Sequence, residues 1–377
     1  MSGDDSTAQA STKQQQVKQC PVNSYNEWDP LEEVIVGRLD HAMLPDSQII
    51  NKHTFPPSDS SLIQEILALG GVPYPPDMIQ AAQRCLDQFI HILEAEEVVV
   101  RRPDVVDYGV PFRTPDWRVP SGASATNPRD PFMVVGNEII EAPMADRSRF
   151  FEASAYRSLF KEYFRRGAKW VAAPRPQLLD ALYHNDFVPS KYGDDEIRFV
   201  VTEFEPAFDA ADFVRCGRDI IGQKSHVTNE SGIEWLRRHL GEDYQVHEIK
   251  SRSPQAMHID TTLMPLAPGK VLVNPDWVDT KNLPACLRNW DLLVAPRPVP
   301  SEQMELRLIS SWASMNVLML DEKRVIVEQR QEPMINALRE WGFQPIPCPF
   351  EDYYPFLGSF HCATLDVRRH GELKSYA

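Results

Sequence analysis

Hydrophobic and polar residues follow one another along this chain in an order that predicts alternating strands and helices. Residues 31–37 form a short apolar run typical of a buried strand, and residues 77–95 place apolar side chains at helical spacing. A Pro-Pro-Asp sequence gives that helix a start signal, and residues 98–100 are again β-branched. The first hundred residues therefore predict one unit of strand, helix and strand.

The same kind of unit recurs four more times. Each copy combines short apolar strands with a helical segment and a closing strand, and the copies occupy residues 132–173, 213–249, 270–294 and 317–347. In the first of them a Gly-Asn turn separates strands at 132–135 and 138–141, and in the third the helix is predicted at 283–289. Repeats that cannot bury their own apolar faces must pack against one another. We therefore predict an α/β fold of five units closed into a ring. A doubly wound sheet is the second choice, although no glycine-rich phosphate loop supports it.

Three segments lie outside the repeats. Residues 1–20 are rich in Gln, Ser, Thr and Asp and are predicted to be a disordered tail, which leaves residues 21–377 as a single domain. Residues 41–74 and 177–195 are interrupted by proline and weakly periodic. They are therefore either inert surface loops or lids over a site.

Charge and composition narrow the range of partners. The 54 acidic and 39 basic residues give a net charge of −15, which repels nucleic acid and anionic membrane surfaces and suits small cationic ligands. No apolar run reaches the length of a membrane span, and the first residues carry no targeting pattern. We expect a cytoplasmic protein that acts on small molecules and binds neither nucleic acid nor membrane, and a homodimer is left open.

Six cysteines are spread along the chain without a Cys-x-x-Cys pair or the histidine spacing of a zinc site. We therefore expect no metal and no cofactor, and we interpret five of the cysteines as reduced structural thiols. Cys362 differs because it follows a Gly-Ser turn and precedes a short β-like run, where a thiol could be held as a nucleophile. On local features alone, one more buried thiol is the more common interpretation.

Several further motifs occur in a fixed order along the chain. They are Tyr-Asn-Glu-Trp-Asp-Pro-Leu at residues 25–31, Ile-Ile-Glu-Ala-Pro-Met at 139–144, Phe-Glu-Pro-Ala-Phe-Asp at 204–209 and Met-His-Ile-Asp at 257–260. Together with Leu-Gly-Ser-Phe-His-Cys at 357–362, they resemble the arginine-dependent amidinotransferases, a family that includes glycine and inosamine-phosphate amidinotransferases. The resemblance covers nearly the whole chain after residue 20.

This resemblance implies a pentein-type fold, a five-bladed α/β propeller of ββαβ modules with pseudo-fivefold symmetry. It also implies a transferase of the EC 2.1.4 class, which moves the amidino group of L-arginine to an amine and releases ornithine. The reaction is expected to be ping-pong, through a covalent amidino-cysteine. Cys362, His258 and Asp209 match the nucleophile, the acid and base, and the carboxylate that orients the histidine.

The chemistry of arginine agrees with these roles. A guanidinium carbon is a poor electrophile, so attack on it needs a thiolate, a proton for the departing amine and carboxylates that hold the planar cation. His258 would supply that proton and take one back from the acceptor, while Asp209 would fix its tautomer. Taken alone, a histidine between two apolar residues is more often a core residue.

For substrate binding, the resemblance points to Asp116 and Asp260, whose paired oxygens would match the paired N–H donors of a guanidinium. If residues 257–260 form a strand, His258 and Asp260 face the same pocket because they are two positions apart. Asp116 follows a proline and is equally well explained as a residue that caps a turn.

Trp277 is a departure from the glycine-using members of the family, which carry an arginine here to bind the α-carboxylate. Ser310, which matches another carboxylate contact, and Met257 are retained. The acceptor therefore need not be an amino acid, and we expect an amino ketone in a bacterial guanidinium-toxin pathway such as that of saxitoxin. The alternatives are transfer to glycine to give guanidinoacetate, hydrolysis of arginine to citrulline, and a propeller that only binds ligands.

Overall fold

The structure of the protein is a computed structural model that describes residues 20–44, 46, 49–54, 68–301 and 309–376. Apart from Cys20, the predicted disordered tail lies outside the described residues, and so does part of the 41–74 segment. Within the described ranges, no helix is long and apolar enough to cross a membrane.

Five α-helices lie wholly within these ranges: α1 (Ile49–Thr54), α2 (Pro76–Ala95), α3 (Arg157–Arg165), α4 (Glu230–Leu240) and α5 (Glu332–Glu340). The strands are β1 (Leu31–Val36), β2 (Val99–Arg101), β3 (Phe112–Arg113), β4 (Arg118–Val119), β5 (Phe132–Val135), β6 (Glu138–Glu141), β7 (Lys169–Ala172), β8 (Phe213–Cys216), β9 (Asp219–Gln223), β10 (Gln245–Ile249), β11 (Leu263–Ala267), β12 (Lys270–Val273), β13 (Asp291–Val294), β14 (Leu318–Met319), β15 (Arg324–Glu328), β16 (Gln344–Cys348) and β17 (Thr364–Arg369).

The described strands form five three-stranded sheets and a separate hairpin of β3 and β4. In each three-stranded sheet, the central strand has one antiparallel and one parallel neighbour; the orders are β5-β6-β7, β8-β9-β10, β11-β12-β13, β14-β15-β16 and β17-β1-β2. An α-helix connects the parallel pair in four sheets, and a 3₁₀ turn does so in the fifth. The repeating module predicted from the sequence is present, while closure of the modules into one ring stays a prediction.

The first sheet joins the two ends of the described chain. β17 runs antiparallel to β1, from Arg369 opposite Leu31 to Thr364 opposite Val36, and β2 pairs with the other edge of β1 in parallel. The sequence indicates β17 only as a short β-like run after Cys362. It does not reveal the partner, because β1 lies at the opposite end of the chain.

Two local predictions in the fourth unit differ from the structure. The helix predicted at residues 283–289 is a single 3₁₀ turn, Ala285–Leu287, which begins directly after Pro284. The strand β11 was not predicted, because its sequence Leu-Met-Pro-Leu-Ala has no β-branched residue and contains a proline, which cannot donate to a sheet ladder. Tertiary pairing with β12 therefore decides this strand.

The N-terminus of α4 holds the segment that carries Asp209. The Asn229 side chain caps the helix by accepting from the Gly232 amide at 2.8 Å, and the same oxygen accepts from the Ala207 amide at 3.1 Å. A Cβ at Gly232 would lie 2.3 Å from the Ala207 carbonyl oxygen, so glycine is required for this close approach. The helix and the segment before β8 are thereby fixed together.

A buried network of charges fixes the strand that follows Cys362. Asp366 on β17 accepts from Arg129 at 2.6 Å and from Arg215 and Arg369 at 2.8 Å each, and Arg215 also binds Glu27. Burial disfavours the charged carboxylate, but the guanidinium groups outweigh it and hold the pKa of Asp366 below its ordinary value. Loss of one partner would leave a buried charge uncompensated, at a cost of about 3–5 kcal/mol.

Candidate active site

One cavity of about 570 Å³ brings most of the predicted site residues together. Its walls include Cys362, His258, Asp260, Met257, Trp277 and Ser310. Asp209 lies behind His258, on the wall of a neighbouring cavity of about 50 Å³. Asp116 lines neither cavity. The structure therefore gathers seven of the eight predicted residues.

Cys362 stands at the end of a turn that requires an unusual backbone. Leu357 has a φ of +64°, and a Cβ at Gly358 would lie 2.2 Å from the Oδ1 atom of Asn127. Position 358 must therefore be glycine. The turn leads directly into β17 and places Cys362, which is buried, on the cavity wall.

The sulphur of Cys362 makes hydrogen bonds with Asp260 and Asn316. Asp260 Oδ2 lies 3.1 Å from Sγ, and Asn316 Nδ2 donates to Sγ at 2.9 Å. Burial and then the charge of Asp260 raise the pKa of Cys362 to about 12, although His258 acts in the opposite direction. The thiol is therefore protonated at neutral pH without a ligand, and a cation bound beside it would favour the thiolate.

His258 adopts a strained backbone conformation, with a φ of +64°, immediately before the 3₁₀ turn Ile259–Thr261. Such a conformation costs about 1–3 kcal/mol in a residue other than glycine and occurs often at functional sites. Residues 257–260 therefore do not form the strand considered above, because the chain turns here. His258 and Asp260 nevertheless both line the cavity.

The ring of His258 lies among acidic groups. Its Nε2 atom is 3.0 Å from Asp209 Oδ2, its Nδ1 atom is 3.6 Å from Asp130 Oδ1, and a ring nitrogen lies within 4.8 Å of Cys362 Sγ. Burial lowers the pKa of His258, but Asp130, Asp209 and Cys362 together raise it well above its ordinary value. The imidazolium can therefore act as a proton donor.

Arg149 holds the two carboxylates that face His258. Its Nη1 atom is 2.9 Å from Asp130 Oδ2 and 3.6 Å from Asp209 Oδ2, and its other nitrogens bind Glu152 at 2.6 and 2.8 Å. Sequence reasoning missed both Arg149 and Asp130. Asp130 is buried and Arg149 is half-buried, and both approach residues far away in the sequence.

Asp260 is also held by His361, the residue before Cys362. Its Oδ2 atom lies 3.1 Å from His361 Nδ1, and although burial raises the pKa of Asp260, the contacts with His361 and the charge of His258 lower it below the ordinary value. The Oδ1 atoms of Asp260, Asp130 and Asp209 have no hydrogen-bond partner in the described part of the chain. These acceptors suit a planar cation with several N–H donors.

Asp116 does not reach the cavity. It lies in the exposed turn between β3 and β4, where its backbone N–H donates to Thr114 Oγ1 at 3.3 Å. This location agrees with the alternative interpretation of Asp116 as a turn residue after proline. Besides Asp209, the structure places Asp130, two residues before β5, beside His258.

Trp277 forms part of the cavity wall and of the apolar core at the same time. Its Nε1 atom donates to Tyr192 Oη at 3.2 Å, and its ring belongs to the cluster that contains Trp312 and Met315. Tyr192 belongs to the irregular segment 177–195, and Thr54, from the segment 41–74, also lines the cavity. Both segments therefore reach the site, and their action as lids stays a prediction.

Two groups in the outer part of the cavity suit an anionic substrate group. Ser310 Oγ accepts from the Trp312 amide at 3.1 Å, which leaves its O–H free to donate to a ligand. Arg297 pairs with Asp276 and lies 5.4 Å above the ring of Trp312. Among the described lining residues, Arg297 is the one arginine or lysine.

The described residues contain two groups whose nitrogen, oxygen and sulphur atoms approach within 4.8 Å of one another, as metal ligands would. They are Asp130, His258 and Cys362, and Asp219, His247 and Cys286. The first group belongs to the constellation described above. In the second, His247 Nε2 lies 2.7 Å from Asp219 Oδ1, so these two side chains satisfy each other without an ion.

Comparison with models of protein families gives no match. The L-arginine:L-lysine amidinotransferase of Pseudomonas savastanoi pv. phaseolicola is 47% identical over 360 residues, which cover 96% of this chain and 98% of that protein. Among solved structures, SxtG, an amidinotransferase of the saxitoxin pathway from Microseira wollei, is 65% identical with a TM-score of 0.92 and covers 95% of this chain and 100% of its own. The inosamine-phosphate amidinotransferase StrB1 of Streptomyces griseus is 36% identical, with a TM-score of 0.84 and coverages of 94% and 99%.

These similarities and the geometry of the cavity define a transferase of the EC 2.1.4 class on a pentein-type α/β fold. The chain belongs to the amidinotransferase family. The family and the pentein-type α/β fold class predicted from the sequence motifs are thereby confirmed, while the five-bladed propeller stays a prediction.

Proposed function

We propose that this amidinotransferase moves the amidino group of L-arginine to an amine acceptor through a covalent intermediate on Cys362. The observation that carries the proposal is the position of the Cys362 sulphur on the cavity wall, 3.1 Å from Asp260 and beside the hydrogen-bonded pair of His258 and Asp209. A guanidinium bound to Asp260 would present its carbon to this sulphur.

The donor fits the distribution of charge in the cavity. Asp260 lines this cavity, and its Oδ1 atom, which has no hydrogen-bond partner among the described residues, can accept from the N–H groups of the guanidinium. Asp130 and Asp209, which line the neighbouring cavity, add negative charge behind His258. The outer wall offers Arg297 and the hydroxyl of Ser310 for the α-carboxylate of arginine.

In the first half of the reaction, the Cys362 thiol, which is protonated in the free site, must become a thiolate. Binding of the guanidinium favours the thiolate, so the Cys362 thiol releases its proton to solvent. The sulphur then forms a bond to the guanidinium carbon, and the bond from this carbon to the side-chain nitrogen breaks. His258 gives its proton to that nitrogen, and ornithine leaves a cationic amidino group on sulphur.

The second half runs these steps in reverse with a new amine. The neutral acceptor amine attacks the amidino carbon and gives a proton to His258, which Asp209 holds in position. The bond between carbon and sulphur breaks, and the Cys362 thiolate regains a proton from solvent. The amidino group ends on the acceptor, and both His258 and Cys362 return to their starting state.

Trp277 and Tyr192 favour an acceptor with a neutral tail. The acceptor must occupy the space that ornithine leaves, and an indole ring on this wall cannot neutralise a carboxylate. An amine with a ketone or alkyl tail would instead gain from contact with the ring. The 65% identity to SxtG supports an amino ketone in a guanidinium-toxin pathway as this acceptor.

The decisive experiment is incubation with arginine alone, followed by intact-mass spectrometry and assay of ornithine. Wild-type protein should release ornithine and gain one amidino group, about 42 Da, on the peptide that contains Cys362. Cys362→Ser should do neither, whereas Cys85→Ser, which removes a buried thiol of α2, should behave as wild type. An adduct on another cysteine, or none at all, contradicts the proposal.

The same assay distinguishes transfer of the amidino group from hydrolysis of arginine. A transferase must protect its intermediate from water, so citrulline should be a minor product and amine acceptors should accelerate turnover. Rapid formation of citrulline without an acceptor would identify a guanidine hydrolase instead.

A further inference from the structure

The residues that meet at the nucleophile occupy equivalent positions in their sheets. Each lies a few residues before the strand that forms the antiparallel edge of a three-stranded sheet: Asp130 before β5, Asp209 before β8, Asp260 before β11 and Cys362 before β17. The fifth sheet has β14 at this edge, and the residue two positions before it is Asn316. Asn316 therefore occupies in the fifth sheet the position that the other four residues occupy in theirs.

Asn316 is buried and contacts the turn of the nucleophile at three points. Its Oδ1 atom accepts from the backbone N–H of His361 at 2.8 Å and from that of Cys362 at 3.3 Å. Its Nδ2 atom donates to Cys362 Sγ at 2.9 Å. These contacts determine the orientation of the amide, because only the oxygen can accept from two backbone N–H groups. The NH₂ group must then face the sulphur.

The geometry points to Asn316 as a catalytic residue that stabilises the Cys362 thiolate by donating a hydrogen bond to its sulphur. A hydrogen bond to an ionised acceptor is about twice as strong as one between neutral groups, so this contact favours the thiolate over the thiol. It offsets the repulsion from Asp260, which faces the same sulphur at 3.1 Å. The two backbone contacts keep the donor in place while the sulphur changes its charge.

The strength of the hydrogen bond from Asn316 to the Cys362 sulphur changes in the course of the reaction. When sulphur carries the amidino group it has lost its negative charge, so it is a weak acceptor and Asn316 gains little from it. When the bond from carbon to sulphur breaks, the charge returns and the hydrogen bond strengthens. Asn316 therefore assists departure of the thiolate in the second half of the reaction as well as its formation in the first.

The inference rests on Cys362 being the nucleophile of the proposed function, but it can be tested without turnover. The rate at which iodoacetamide alkylates Cys362 reports the reactivity of the thiolate, and peptide mass spectrometry separates it from the other cysteines. A lost hydrogen bond to a charged group lowers the thiolate fraction about tenfold to hundredfold. The remaining thiolate is more nucleophilic, so the net loss of rate is about fourfold to fifteenfold.

Two variants remove the donor in different ways. Asn316→Asp keeps the shape and the acceptor for the two backbone amides but presents a carboxylate oxygen to sulphur, and Asn316→Ala removes the side chain. Both should slow alkylation of Cys362 at about pH 8 by at least fourfold. The control is Asn274→Asp, which alters another buried asparagine that bridges backbone groups, with contacts of 2.8 and 3.0 Å, but does not contact the sulphur.

Asn274→Asp should lower the melting temperature and leave alkylation of Cys362 within twofold of wild type. The assignment is overturned if both Asn316 variants fold and react at the wild-type rate, or if Asn274→Asp slows alkylation equally, which would indicate general loosening. Arginine-dependent labelling of Cys362 in wild-type protein is measured separately. Its failure would reject the proposed function while the alkylation result still decides the role of Asn316.

Discussion

The Oδ2 atom of Asp260 lies 3.1 Å from the Sγ atom of Cys362, so a carboxylate faces the sulphur that must become a thiolate. Its charge raises the pKa of the thiol, after the larger effect of burial. Asp260→Asn should therefore lower this pKa and speed alkylation of Cys362 by iodoacetamide several-fold at a given pH. Turnover of arginine should be lost at the same time, because the cation has lost its partner.

The pH dependence of alkylation tests whether the pKa of Cys362 is raised in the wild-type protein. Because the pKa of Cys362 is raised to about 12, the thiolate fraction should rise about tenfold for each pH unit between pH 7 and pH 9. Free glutathione in the same tube should begin to level off near its ordinary thiol pKa of about 8.5. A plateau for Cys362 below pH 9, or slower alkylation of Asp260→Asn, would contradict this account.

Loss of His258 or of its partner Asp209 should lower kcat severely. His258→Ala abolishes both proton transfers, and Asp209→Asn leaves the ring in place but puts a neutral amide where the carboxylate lies 3.0 Å from Nε2. We expect kcat to fall about 10⁴-fold for Asp209→Asn, as in other triads, and at least as far for His258→Ala. Circular dichroism should show both variants folded, and near-wild-type rates in folded variants would reject the assignment.

Asp130 and Asp116 form a matched pair of tests, because Asp116 is the residue that the sequence predicts, whereas Asp130 is the residue that the structure buries beside His258. Asp130→Asn removes a charge that supports the imidazolium and pairs with Arg149 at 2.9 Å. Its kcat/KM for arginine should fall at least about a hundredfold, because proton transfer by a positioned acid or base such as His258 typically contributes about 10²–10⁴-fold. Asp116→Asn should change kcat/KM by less than twofold; a reversed order would restore the original assignment of Asp116.

Arg297 should recognise the carboxylate of the donor. Arg297→Gln should raise the KM for arginine by about threefold to tenfold, at the low end for a charged hydrogen bond because this side chain is largely exposed to solvent. Agmatine, which lacks the carboxylate, provides the control, since its weaker turnover should be the same in both proteins. An equal loss with both substrates would show that Arg297 only shapes the cavity.

The acceptor preference should depend on Trp277. Wild-type protein should use glycine poorly and amines with a ketone or alkyl tail better, because the indole offers no charge to a carboxylate. Trp277→Arg should shift the ratio of kcat/KM towards glycine. Since Trp277 is also part of the core, Trp277→Phe serves as the control for lost packing. A wild-type preference for glycine would refute this prediction.

The sequence predicts the strands well where β-branched residues and hairpin turns mark them. Residues 132–135 and 138–141 were placed to the residue, since a Gly-Asn turn separates two apolar runs. β11 was missed because its pairing with β12 outweighs a poor local preference. Local signals therefore define the modules, and contacts between distant residues define the pairing.

Only those site residues that stand in recognisable motifs could be predicted from the sequence. Cys362, His258 and Asp209 stand in segments that are recognisable on their own, and the structure brings them together. Asp130 and Asn316 share a position just before an edge strand, but β14 has only two residues, so the repeat cannot be aligned from the sequence. The contact between Asn316 and Cys362 joins residues 46 positions apart, which no local pattern records.

The pairing of β17 with β1 has a consequence for synthesis of the enzyme. A growing chain that has not yet reached residue 369 leaves β1 with one edge unpaired, and Asp366, which binds three buried arginines, is missing from the core. The nucleophile precedes this strand by two residues, so the ribosome must deliver almost the entire described chain before the thiol is held in place. Contacts between such distant segments fold slowly, and activity should therefore lag behind translation. A prematurely terminated chain would carry the acidic half of the site but no reactive sulphur.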